Sequence, residues 1–138
     1  MPSAPIVIEK YIPVNREKIW EDLTNPEQMK QWYFDIPDFK PEKGFQFSFT
    51  GGPPEKEYIH RCVIQEVIPG KLLTHTWRYE GYPGESVVSW QLEDSGDGTL
   101  LKLTHSGLET FPADNPDFAR KNFEAGWDSI LSTLASRG

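Results

Sequence analysis

His75 and His105 are the side chains whose type and placement come nearest to chemistry in this chain. Each closes or interrupts an alternating apolar run: Leu73, His75, Trp77 and Tyr79 in one stretch, Leu101, Leu103 and His105 in another. Strand parity puts both imidazoles on the face turned toward the interior. An imidazole there can orient the polar end of a ligand, or act as general acid or base if its pKa lies near neutrality. A histidine satisfied by backbone or by a neighbour at the sheet edge fits the same pattern. His60, His75 and His105 do not read as a zinc site, because their spacing matches no metal motif and no Cys or carboxylate pair completes a ligand set. Cys62 has no Cys-x-x-Cys partner and reads as an inert buried thiol. Gly51-Gly52-Pro53-Pro54 lacks the Gly-Lys-Ser/Thr ending of a phosphate loop. Among the scattered acids, Glu57 and Glu85, on loops that border the mouth, come nearest to a catalytic placement, but no acid–base dyad is recognisable. No residue is therefore assigned a catalytic role, and neither metal nor cofactor is expected.

The elements that would position these histidines can be read from periodicity. Residues 114–137 form a long amphipathic helix, with Asn115 as cap and Pro116 in the first turn. Phe123, Trp127, Ile130, Leu131 and Leu134 fall on one stripe. Gly126 stands at the edge of that stripe, near Ala119, where close packing or room for a ligand would explain a helical glycine. Ile6 to Ile12 reads as a first strand. Asn15 caps a short helix, with Val14 and Ile19 at staple spacing, and Asn25-Pro26 opens another that carries Met29 and Trp32, with Gln28 at the capping-box position. Asp35 to Gly44 is a loop. Phe45, Phe47 and Phe49 then alternate with polar residues in a second strand. Tyr58–Ile68 and Lys71–Tyr79 flank Pro69-Gly70, and Ser86–Glu93 and Thr99–Ser106 flank Asp94 to Gly98, so both pairs read as hairpins. Parity directs Val88, Trp90 and Leu92 inward with the histidine-bearing strands. The order is a strand, two short helices, about five hairpin-linked strands and a final helix long enough to cover one sheet face.

Composition narrows the partners. The 138 residues fit one domain, 1–138, of ordinary polarity, with 37% hydrophobic and 25% charged residues. Aromatics are abundant at 13%, five of them Trp, and supply large apolar contact areas to a core or pocket. A net charge of −7, with no basic run, excludes nucleic acid as the natural partner. No segment is long and apolar enough for a membrane span, no signal peptide is recognisable, and the single Cys agrees with a reducing compartment, so a cytoplasmic location is expected.

Several segments resemble the START-like, helix-grip superfamily. They are Pro13-Val14-Asn15-Arg16-Glu17-Lys18-Ile19-Trp20, Gln31-Trp32-Tyr33, Gly44-Phe45-Gln46-Phe47 and Leu72-Leu73-Thr74-His75-Thr76-Trp77. The more specific pieces are Leu103-Thr104-His105-Ser106-Gly107-Leu108 and Gly126-Trp127, which resemble the group related to the C-terminal domain of the activator of heat-shock protein 90 ATPase. The resemblance implies an α+β helix-grip fold: a curved antiparallel sheet of about six strands, in the order β-α-α-β-β-β-β-β-α, wrapped around a long C-terminal helix. It also implies a hydrophobic cavity between sheet and helix. Relatives include co-chaperone domains, lipid and hormone binders and polyketide cyclases, and fold alone does not choose among them. The additional N-terminal domain through which the co-chaperone makes much of its chaperone contact has no counterpart in these 138 residues.

Parity and resemblance together give a candidate ligand-binding set: Trp32, Tyr33, Phe47, Phe49, His75, Trp77, Trp90, Leu103, His105, Phe123, Trp127 and Ile130. The expected function is non-enzymatic binding of a small hydrophobic or amphipathic molecule in a cavity between the sheet and the C-terminal helix. The alternatives are a polyketide cyclase or aromatase-like enzyme, and a module that contacts a chaperone of the heat-shock protein 90 class.

Overall fold

The computed structural model describes residues 5–32, 36, 39–51, 58–112, 118 and 120–136. Strand β1 (Ile6–Ile12) leads into helices α1 (Arg16–Thr24) and α2 (Pro26–Trp32). Strands β2 (Gln46–Gly51), β3 (Tyr58–Ile68), β4 (Leu72–Tyr79), β5 (Ser86–Ser95) and β6 (Gly98–Ser106) follow, then a short 3-10 turn (Leu108–Thr110) and helix α3 (Arg120–Ser136). The six strands form one sheet in the order β1-β6-β5-β4-β3-β2, every neighbouring pair antiparallel. This is the α+β helix-grip arrangement expected.

Local chemistry sets the element ends. Asn15 accepts the Lys18 N–H on its side-chain oxygen at 2.9 Å, and Asn25 accepts that of Glu27 at 2.9 Å, so both predicted caps are formed. Gln28 does not close a capping box. The Asn25 N–H is already taken by the Glu21 carbonyl at 2.8 Å, and the Gln28 side chain donates instead to Glu21 Oε1 at 2.8 Å. In chain order the pair α1–α2 comes between β1, at one edge of the sheet, and β2, at the other. Arg16 fixes the start of α1 by donating to Asp94 at 2.8 Å and to the Gly70 carbonyl at 3.2 Å, at the two hairpin turns. Gly107 turns the chain out of β6 with φ +87, a conformation that L side chains rarely adopt, and a Cβ there would press on Glu85 and Ser86 at 3.1 Å.

Helix α3 buries Phe123, Trp127, Leu131 and Leu134, with Ile130 half-buried beside them. Its predicted start at Asn115-Pro116, and Ala119, lie outside the described residues. Gly126 belongs to the solvent face: it is exposed, and an added Cβ would meet nothing within 4 Å. Neither close packing nor space for a ligand accounts for it, because 100° per residue rotates it off the Phe123–Trp127 stripe. Val88, Leu101, Leu103 and Leu131 are essentially inaccessible at the centre of the core; truncating such a leucine costs about 2–5 kcal/mol.

Candidate functional site

The inner face of the sheet is a grid set by strand register. His75, Val88 and His105 form one row across β4, β5 and β6, and Leu73, Trp90 and Leu103 form the next. Trp77 on β4 stands at the centre of the aromatic packing. Its ring centroid lies 4.8 Å from His60, 5.6 Å from His105, 5.5 Å from Phe49 and 5.3 Å from Trp127. Helix α3 closes the grip, with Trp127 edge-on to Trp90 at 5.5 Å and Phe123 edge-on to His105 at 5.3 Å.

Both predicted histidines are buried, and each has its proton fixed by a tryptophan. An indole N–H can only donate. Trp127 Nε1 donates to His105 Nδ1 at 2.9 Å, which leaves the His105 proton on Nε2. That Nε2–H donates to Ser86 Oγ at 2.7 Å, and the Ser86 hydroxyl donates to the Trp77 carbonyl at 2.9 Å. Trp90 Nε1 donates to His75 Nε2 at 3.2 Å, so the His75 proton sits on Nδ1 and is given to the Thr76 carbonyl at 2.9 Å. Burial pushes the His75 pKa down to about 4 and that of His105 to about 3, with the neighbouring His75 adding to the shift at His105. His60, whose Nδ1–H donates to the Tyr58 carbonyl at 3.1 Å, is lowered by burial to about 4.

These facts bear directly on catalysis. The condition set for a histidine acid or base, a pKa near neutrality, is not met by any of the three. The Ser86–His105 pair has the distance of a nucleophile–base couple but the opposite polarity. A base must offer Nε2 as a lone pair to the hydroxyl, whereas here Nε2 carries the proton and Trp127 occupies Nδ1. The network is an interior one that satisfies its own donors and acceptors.

Between the sheet and α1–α2 lies a narrow slot with about 10 Å³ of free space. Trp32, Phe47, His75 and Trp90, all named from the sequence, line it. Leu23, Met29, Phe39 and Leu73 complete the lining and were not in the predicted set. Leu23 and Met29 carried a readable signal, as the apolar positions of two short helices placed over the sheet. Phe39 carried none, since it stands in a proline-containing loop with no period; its ring packs edge-on to Phe47 at 5.1 Å. The other described residues of the predicted set lie deeper, on the inner face of the sheet or on α3. They pack against one another in the place expected for a cavity between sheet and C-terminal helix; the slot lies under α1–α2 instead. Phe49, Trp77, His105, Phe123 and Trp127 pack ring against ring, Leu103 is buried opposite Trp90, and Ile130 borders the core. Tyr33 and Glu57 lie outside the described residues, and Glu85 is exposed, with its backbone bound to the Thr110 hydroxyl.

A family model described as Activator of Hsp90 ATPase homolog 1-like protein matches residues 13–137. A search of curated proteins finds no match. Among solved structures, protein MLL2253 from Mesorhizobium loti is 28% identical, with a TM-score of 0.76 over 96% of this chain and 94% of its own. Mll3558 from Rhizobium loti superposes with a TM-score of 0.83 at 20% identity, over 99% of this chain and 96% of that one. DynU16, described as a protein in the dynemicin biosynthetic locus, has a TM-score of 0.79 at 21% identity. The match covers 98% of this chain and 47% of DynU16, so this chain spans about half its length.

Proposed function

Starting from a chain that belongs to the Activator of Hsp90 ATPase homolog 1-like family, we propose that it binds a small, flat, apolar molecule in the slot between α1–α2 and the sheet. The observation that carries this reading is the lining itself: seven apolar side chains and one neutral imidazole. A site of convergent apolar surface with a single polar group suits a hydrophobic guest. The free volume corresponds to about one water molecule, so binding requires side chains to move aside. Met29, unbranched and adaptable, is the wall residue best suited to do so. Affinity then comes from apolar area removed from water, about 25 cal/mol per Å² before the costs of association. The predicted residues deeper in the grip, Trp77, His105, Phe123 and Trp127, support the slot from behind. The self-satisfied, reversed Ser86–His105 pair speaks for a receptor and against acid–base turnover.

Trp32 and Trp90 both line the slot, so occupancy is read as a saturable change in tryptophan emission across a panel of fatty acids, indoles and fused-ring aromatics. Leu23→Phe, which fills the slot, is expected to abolish that change while circular dichroism reports an intact fold. Emission indifferent to the whole panel, or a response that survives in Leu23→Phe, refutes the proposal.

Family membership favours a second reading, contact with a chaperone of the Hsp90 class. Its test is stimulation of that chaperone's ATPase by the purified chain. The match across residues 13–137 supports treating the chain as one domain, and the single buried Cys62 supports a reducing, cytoplasmic setting.

A further inference from the structure

On the outer face of the sheet, β2, β3 and β4 shape an open groove of about 460 Å³ lined by Gln46, Phe47, Ser48, Arg61, Cys62, Val63 and Arg78. Ser48 is the cross-strand partner of Arg61, and Arg61 that of Arg78, so a hydroxyl and two guanidinium groups make one row across three strands. Like charges placed directly opposite one another destabilise a sheet. The row is only half neutralised. Glu80 takes both Nε and Nη2 of Arg61, with the Nε bond at 3.0 Å. Arg78 is exposed and has no hydrogen bond or ion pair among the described residues. Guanidinium, hydroxyl and amide groups make the groove rich in donors, within a chain whose net charge is −7.

We propose that this row is a binding site for a small organic oxyanion, a phosphate or a carboxylate, gripped by Arg78 and flanked by Arg61 and Ser48. An oxyanion between the guanidinium groups removes the like-charge repulsion and accepts paired N–H bonds from the Arg78 fork, the geometry at which arginine excels. The groove is larger than one phosphate needs and falls within the roughly 300–1,000 Å³ of small-molecule sites, so an organic body attached to the anion has room. The proposal does not depend on the apolar slot, which opens on the other face.

The test is a titration of the ¹⁵N-labelled chain, followed by two-dimensional NMR, with inorganic phosphate, phenyl phosphate and benzoate in separate arms. Saturable shifts are expected at the amides of Ser48, Arg61, Val63 and Arg78. Arg78→Gln is expected to weaken binding by about tenfold or more, as the loss of a charge-assisted pair implies. Lys102→Gln, an exposed cation on another strand, is expected to leave affinity within about twofold because its charge is screened by solvent. The dispersion of each spectrum verifies the fold, and the arm that saturates first separates phosphate from carboxylate. Shifts that rise without saturation over the whole surface overturn the proposal, as does equal weakening by Lys102→Gln. Binding of an acidic polypeptide with no response to any small anion overturns it as well.

Discussion

Mild acid is expected to unfold this protein through its interior histidines. In the unfolded chain the three imidazoles take up protons near the ordinary value of 6.5; in the folded protein burial delays that to about 4 for His60 and His75 and about 3 for His105. Between those limits the unfolded state binds more protons, so stability rises with pH. The stabilisation is complete above the unfolded value and is lost as pH falls toward the folded ones. At about pH 5 each histidine lies roughly 1.5 units below its unfolded pKa while still neutral in the core, which removes about 2 kcal/mol per group. Together they remove about 6 kcal/mol, comparable to the roughly 5–15 kcal/mol that holds a domain of this kind folded. Urea unfolding followed by tryptophan emission, repeated from neutral pH to about pH 5, reads the loss directly, and His60→Phe is expected to remove about a third of it. Long-range ¹H–¹⁵N spectra provide the site-specific check: His105 protonated on Nε2, His75 on Nδ1, both unchanged at about pH 5. An imidazole that titrates near 6.5 in the folded protein, or an unfolding free energy constant within about 1 kcal/mol over that range, refutes the reasoning.

Trp127→Phe keeps an aromatic ring in the grip but strands His105 Nδ1, which accepts from the Trp127 indole at 2.9 Å. It is expected to cost about 1–3 kcal/mol in urea unfolding, and a variant as stable as the parent would remove that bond from the account. Gly126→Ala, on the open face of α3, is expected to stabilise the protein by about 0.5–1 kcal/mol by thermal or urea unfolding. Destabilisation there would mean that this face is packed against something.

The outline of the fold was legible because it rests on local rules. Alternation in Phe45–Phe49, Leu73–Tyr79 and Leu101–His105 determines which side chains turn inward, since successive strand residues point to opposite faces. The caps at Asn15 and Asn25, the hairpin turns and the apolar stripe of Phe123, Trp127, Leu131 and Leu134 are likewise written within a few residues of where they act. What those inward residues do was not legible. The proton on His105 is placed by Trp127, 22 residues away, and that on His75 by Trp90, 15 residues away. Sequence spacing carries no record of which nitrogen a distant indole meets. Phe39 became a wall of the slot because the chain between α2 and β2 lays it against Phe47, and no period marks such a residue. The Arg61–Arg78 pair exists only through the register of β3 and β4. Within the strands and helices, backbone periodicity was enough to say which residues face the interior and which face water. Which of them touch, and therefore where protons sit and where space is left, depends on how separate strands and helices are brought together, and that emerges in the folded protein alone.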